Sequence, residues 1–225
     1  MKRIINLFDR ILPGYARRPL LAVLAMNFIA YYLPKLLQGP EQLRLISTPL
    51  DDALPLVPGF IFIYVLAYLQ WVLAYVVIGR DSPERCFRFT ASELCAKLLA
   101  MLAMLIFPTV MLRPAVSVRD FSTWLLDLMY RVDAPTHVFP SMHCVASWFS
   151  FRWSLKLERM PRWYGWAQGV FTLLVFASVV LVKQHVWPDI LGGVAAAELG
   201  MLLSRLLHAE RLTARLSRSG RAGRL

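Results

Sequence analysis

Charge is scarce in this chain. Only 17% of its 225 residues are Asp, Glu, Lys or Arg, against about 25% in an ordinary soluble domain, which is too few to clothe a water-facing surface. Carboxylates are scarcest: there are 14 Asp and Glu against 25 Lys and Arg, a net charge of +11. The three cysteines, Cys86, Cys95 and Cys144, form no CxxC pair and no spacing suited to a metal, so small apolar packing is their default role. Cys144 adjoins His143, but neighbouring helical residues point in different directions, which argues against a Cys–His dyad. The four histidines make no HxxxH or HExxH spacing. Asp133, His137, His143, His185 and Asp189 are possible ligands by type, yet the Arg and Lys beside them suit an anion better, and neither metal nor cofactor is expected. Repeats, low-complexity tracts and a second domain are also missing.

What the chain has in abundance is apolar sequence, 58% of all residues. At roughly 20 residues per membrane crossing, six stretches qualify: 19–37, 56–78, 93–112, 141–156, 165–183 and 188–207. The expected architecture is therefore all-α, a polytopic membrane protein with six transmembrane helices in one domain, 19–207. Residues 1–18, MKRIINLFDRILPGYARR, lack the sustained apolar centre of a cleavable signal peptide. They read as a basic amphipathic segment lying at the membrane surface. Residues 208–225 read as a basic tail.

Orientation follows from Lys and Arg near the span ends. The N-terminal segment, the 79–92 and 152–164 regions and the tail, with Arg205 just before it, together carry eighteen of them, and the opposite side carries six. Both termini are thus expected in the cytoplasm, in a cell or inner membrane. Topology and anionic headgroups account for the positive excess, so no nucleic-acid partner is expected; the membrane lipids are the partners, and the sequence leaves oligomeric state open.

Polar residues from three distant segments collect on the poorly charged, outward side. They are Arg113-Pro114, the run DAPTHVFPSMH (133–143), and VKQHVWPDILGG (182–193). Ionisable groups at span ends are functional candidates. A proline near the first helical position would leave the amides of Ser141, Met142 and His143 free at a helix N-terminus, where phosphate is favoured. The alternative for this motif alone is a Ser cap with an interfacial His. His185 and Asp189, four residues apart, allow a carboxylate to fix the imidazole tautomer and leave the other nitrogen free to attack. Such a pair alone is more often structural than catalytic.

Taken together, Arg113-Pro114, Pro140-Ser141-Met142-His143 and His185-x-x-x-Asp189 resemble the type 2 phosphatidic acid phosphatase superfamily, with its Lys-x6-Arg-Pro, Pro-Ser-Gly-His and Ser-Arg-x5-His-x3-Asp motifs. The likeness covers residues from about 100 to 195. FPTVMLRP (107–114), LVKQHVWPD and LDDALPLVPGFIFIYV (50–65) are most similar to its inositol phosphorylceramide and sphingomyelin synthase branch. The resemblance implies that His185 attacks phosphorus with Asp189 orienting it, that His143 serves as acid and then base, and that Arg113, Ser141 and the backbone around Met142 hold the phosphoryl oxygens. Ser178 matches the third motif's Ser. Three positions depart from the pattern: Ile106 replaces Lys, Val179 replaces Arg, and Met142 replaces Gly. Lys183, two residues before His185, is the expected substitute for a missing cation.

The function implied is an integral membrane lipid phosphatase or phosphotransferase, acting through phosphohistidine on a phospholipid or related lipid phosphate at the outward face. The runner-up is a polyprenyl diphosphate phosphatase. From a different class, the chain could be a transporter or a non-catalytic scaffold with a relic site.

Overall fold

A computed structural model describes residues 11–218 of the chain. It is an α-helical membrane protein. Among the described residues, four helical segments are long and apolar enough to cross a membrane: Gly14–Leu37, Pro58–Asp81, Pro83–Ile106 and Arg162–Leu181. A bent pair, Trp187–Leu206 with Glu210–Arg218, makes a fifth if taken as one span. In chain order the α-helices are α1 (Gly14–Leu37), α2 (Pro49–Ala53), α3 (Ile61–Asp81), α4 (Pro83–Ile106), α5 (Phe121–Val132), α6 (Met142–Ser154), α7 (Arg162–Leu181), α8 (Trp187–Leu206) and α9 (Glu210–Arg218).

The expected count of six spans is corrected at 141–156. Helix α6 has 13 residues and is about 20 Å long, short of the roughly 30 Å hydrocarbon core. The apolar run there is broken by Arg152 and Lys156, and the chain turns at Leu155. Its environment explains how so short an apolar helix is stable. His143, Cys144, Val145, Ala146, Ser147, Phe149, Ser150, Trp153 and Ser154 are all buried, against α7, α8 and α3. A helix covered on every side has no need to match the lipid. The lipid-facing work falls to the outer helices, whose Leu24, Phe28, Leu69, Val72, Val170 and Leu173 are exposed.

Other boundaries moved for local reasons. Helix α1 starts at Gly14, so residues 14–18 of the expected surface segment belong to the first span; residues 1–10 of that segment lie outside the described residues. Helix α4 starts at Pro83, where the Ser82 side chain accepts from the Arg85 amide. The described part of the tail is helical in α9 and packs on α4 and α1, with the buried Thr213 hydroxyl donating to the Phe87 carbonyl at 2.8 Å. Residues 219–225 of the tail lie outside the described residues.

Inside the bundle, Lys97 and Glu93 form a buried ion pair at 3.0 Å. Tyr75 of α3 donates to the same Glu93 oxygen, and Lys97 reaches the Val23 carbonyl of α1. Buried charge in a span persists only when paired in this way, and this pair ties α1, α3 and α4 together. Helix α8 comes close to α6 at Gly193, where an added Cβ would sit 2.8 Å from both Cys144 Cβ and the Ser141 carbonyl oxygen.

The loops at the end of the bundle that carries His143 and His185 have structure with no counterpart in the sequence reading. Two-residue strands β1 (Arg44–Leu45) and β2 (Thr109–Val110) pair in parallel, and Val110 bridges Thr136 on the other side. The amphipathic helix α5, capped by the Asp120 side chain, exposes Phe121, Trp124, Leu128 and Val132.

Candidate active site

The three polar segments do come together, around a cavity of about 230 Å³. Its wall includes Arg113, Met142, His143 and His185, together with Lys35 from the end of α1 and Asp133 from the end of α5.

His185 lies on the turn that precedes α8. Its amide and that of Gln184 both donate to the Val179 carbonyl, at 2.9 and 3.0 Å, which folds the chain back under the ring. The first turn of α8 then brings Asp189 beneath it. Asp189 Oδ2 lies 3.0 Å from His185 Nδ1 and accepts from the Val186 amide at 3.1 Å. The carboxylate is fully buried, so it holds one tautomer: Nδ1 carries the proton and Nε2 keeps its lone pair.

His143 occupies the first turn of α6. Its ring stacks on Tyr64 with centroids 4.1 Å apart and meets the edges of Tyr68 at 5.2 Å and Trp71 at 4.8 Å. Three side chains from one face of α3 thereby fix the imidazole plane. The His143 and His185 rings are 6.3 Å apart, and His143 Nε2 has no hydrogen-bond partner among the described residues. That spacing leaves room for one tetrahedral centre between them.

Ser141 plays a different part from the one its motif implies. It is fully buried, its hydroxyl accepts from the Cys144 amide at 3.4 Å, and its own amide donates to the Asp189 carbonyl at 3.1 Å. It is a helix cap that couples α6 to the His185–Asp189 pair. Among the described residues the amides of Met142 and His143 are left as the uncommitted donors at this helix end. Phe139–Pro140, just before, is a cis peptide bond.

The guanidinium of Arg113 donates to the Gln184 side chain and to the Asp133 carbonyl, and it lies 4.8 Å from the Tyr130 ring. Arg113 is thus anchored to the residue preceding His185.

Lys183 is corrected. Its backbone is left-handed, φ 51°, and its ammonium donates to the carbonyls of Asp51 and Leu54 at 2.6 and 2.7 Å. It does not line the cavity. Beside Arg113, the second cation found there is Lys35, 3.2 Å from Asp133 Oδ1 and 3.8 Å above the Tyr31 ring. Tyr31 also donates to Asp133. Burial works to raise the Asp133 carboxyl, but the Tyr31 hydrogen bond and the Lys35 charge outweigh it and hold it below the usual carboxylate range. His137, which also lines the cavity, bonds Gln38 at 2.9 Å; burial, then Lys35, lower its imidazole. Of the positions that depart from the motif, Ile106 is exposed and Val179 is fully buried, so neither reaches the cavity.

Sequence reasoning missed Lys35, Tyr31, Gln184 and the Tyr64–Tyr68–Trp71 face. The available signals were Lys35 just after Pro34 at a span end, and three aromatics at helical spacing opposite the PSMH segment. A further support was legible only as a phrase, LDDALP. Asp51 Oδ1 accepts from the Trp187 amide at 2.8 Å, and the Trp187 indole donates to Thr48 at 2.9 Å. With the two Lys183 bonds, segment 48–54 clamps both sides of His185.

Among the described residues no three His, Cys, Asp or Glu side chains form a set that could hold a metal ion. Comparison with protein-family models, with curated proteins and with solved structures finds no match to this chain.

Proposed function

We propose that the protein is a lipid phosphatase or phosphotransferase of the type 2 phosphatidic acid phosphatase kind, working through a phosphohistidine. The observation that carries this reading is the His185–Asp189 hydrogen bond facing a second, unpartnered histidine, with Arg113 in the wall between the outward loops. His185 Nε2 forms the P–N bond as the P–O bond to the leaving group breaks, and His143 gives that oxygen its proton. In the second half, water or an alcohol passes its proton to His143 as it attacks phosphorus, and the P–N bond breaks. Arg113, Lys35 and the free amides of Met142 and His143 would stabilise the charge on the phosphoryl oxygens, the dominant demand of such a transfer.

The substrate reading is a phospholipid or related lipid phosphate. It is supported by the setting of the cavity, which is bordered by the exposed Phe28 and Tyr32 of α1 and Val132 of α5. The charge asymmetry of the sequence supports an outward-facing site with both termini in the cytoplasm.

The test is one assay of purified protein with several labelled phospholipids and a polyprenyl diphosphate, following free phosphate and any new headgroup-bearing lipid together. Turnover and an acid-labile phosphoenzyme are expected, and both should vanish in His185→Ala. Near-parental turnover in that variant removes the phosphohistidine route. Turnover of the polyprenyl diphosphate alone selects the runner-up substrate, and no turnover of any lipid returns the chain to a scaffold.

A further inference from the structure

A larger cavity, of about 530 Å³, lies at the other end of the bundle. It opens where α3, α6 and α8 end and α4 begins, away from both histidines. Its volume falls within the roughly 300–1,000 Å³ of small-molecule pockets. The floor is formed by the buried Ser92, Ser204 and Trp153, and cations line the wall: Arg85, Arg88, Lys156 and Arg205.

The carboxylates of this wall are already engaged. Glu84 pairs with Arg88 at 3.0 Å, Glu158 with Arg85 at 2.9 Å, and Glu210 lies 3.7 Å from His208. Lys156 and Arg205 have no carboxylate within ion-pairing distance among the described residues. Glu198, which reaches both electrostatically, is bonded to Arg152 at 2.7 Å. Burial first, then Arg205 and Arg152, push the Lys156 ammonium below its ordinary value, so the cations here crowd one another. Helix C-termini attract positive charge, which accounts for Arg205 in the last turn of α8. That attraction does not account for a hollow lined by two cations from different segments that lack an ion-pair partner among the described residues, and floored by two buried serines.

We infer that this cavity is a second binding site, for a phosphate-bearing anion held between Lys156 and Arg205. A guanidinium fork and a point-charge ammonium are the pair suited to phosphate oxygens, and the serine hydroxyls lie within the same cavity. Exposed Leu155, Leu206 and Leu207 flank it, which fits an anionic lipid headgroup whose chains lie along the bundle. A free phosphate ion would use the same contacts.

The experiment measures equilibrium binding to the purified full chain of short-chain phosphatidylglycerol, the zwitterionic phosphatidylcholine of equal chain length, and inorganic phosphate. The parent for this comparison is the Arg113→Gln chain, which weakens phosphate binding at the histidine cavity, and on it are placed the double substitution Lys156→Gln with Arg205→Gln and its charge-keeping counterpart Lys156→Arg with Arg205→Lys. Each charge-assisted contact is worth roughly tenfold or more in affinity. The neutral double variant should therefore bind the anion at least about tenfold more weakly, while the charge-keeping variant binds as the parent does. Binding of phosphatidylglycerol but not inorganic phosphate assigns a lipid headgroup; the converse assigns a soluble phosphate. Equal affinity in the neutral double variant and the parent overturns the site. So does phosphatidylcholine binding as well as phosphatidylglycerol.

Discussion

At the scale of single residues, two lysines exchange roles between sequence and structure. Lys183 sits two positions before His185, and proximity along the chain made it the natural phosphate ligand. A left-handed backbone at that position turns its side chain towards the Asp51 and Leu54 carbonyls instead. Lys35, distant in sequence, lines the cavity. Lys35→Ala should lower kcat/KM by roughly tenfold to hundredfold, the worth of one charge-assisted contact of about 1.5–3 kcal/mol. Lys183→Ala should instead lower the midpoint of thermal unfolding by leaving two part-buried carbonyls unpaired, while turnover at low temperature persists. Steady-state kinetics beside thermal unfolding of both variants checks this; a Lys183→Ala protein of parental stability with Lys35-like kinetics would restore the sequence-based assignment. The His185–Asp189 pair was legible because only four residues separate the two across the opening of α8, and His143 because it follows Pro140-Ser141 at the start of α6. The lysines were not, because a single φ angle decides where such a side chain goes.

Among elements, the decisive contact is the crossing of α6 and α8. Ser141 opens one helix and Asp189 the other, and the amide of the first donates to the carbonyl of the second. Gly193 permits that approach, one turn beyond Asp189. Gly193→Ala places a methyl 2.8 Å from Cys144 Cβ and the Ser141 carbonyl oxygen, and both partners are fixed in a buried helix. Overpacking of this kind costs about 1–3 kcal/mol, and a displacement near 1 Å at reacting groups can cost about a hundredfold in rate. Loss of both thermal stability and kcat/KM is therefore expected. Gly59→Ala, with nothing within 4 Å of its added methyl, should be silent in both measurements. Parental behaviour of Gly193→Ala would show that the crossing has slack. Most helices could be read from apolar runs alone. The β1–β2 pair and the antiparallel bridge to Thr136 could not, since two-residue strands have no period to detect and exist only because residues 44–45, 109–110 and 136 meet in space.

For the whole molecule, the question is which way it faces. Arg119 lies at the histidine end and Glu158 at the opposite end. In intact cells a membrane-impermeant thiol reagent should label Arg119→Cys, and Glu158→Cys only after permeabilisation. The three native cysteines are buried or half-buried, and the parental chain supplies their background. Labelling in the reverse order would turn the molecule over and put the histidine pair on the cytoplasmic side. Charge asymmetry was readable from sequence because it needs no three-dimensional information, whereas the span count failed at α6, where hydropathy cannot tell a lipid-facing helix from one enclosed by its neighbours. That enclosure has a mechanical meaning. Because α3, α7 and α8 stand between α6 and the bilayer, the depth of His143 is referenced to protein contacts, and swelling or thinning of the surrounding membrane would tilt the outer helices while the two imidazoles keep their separation.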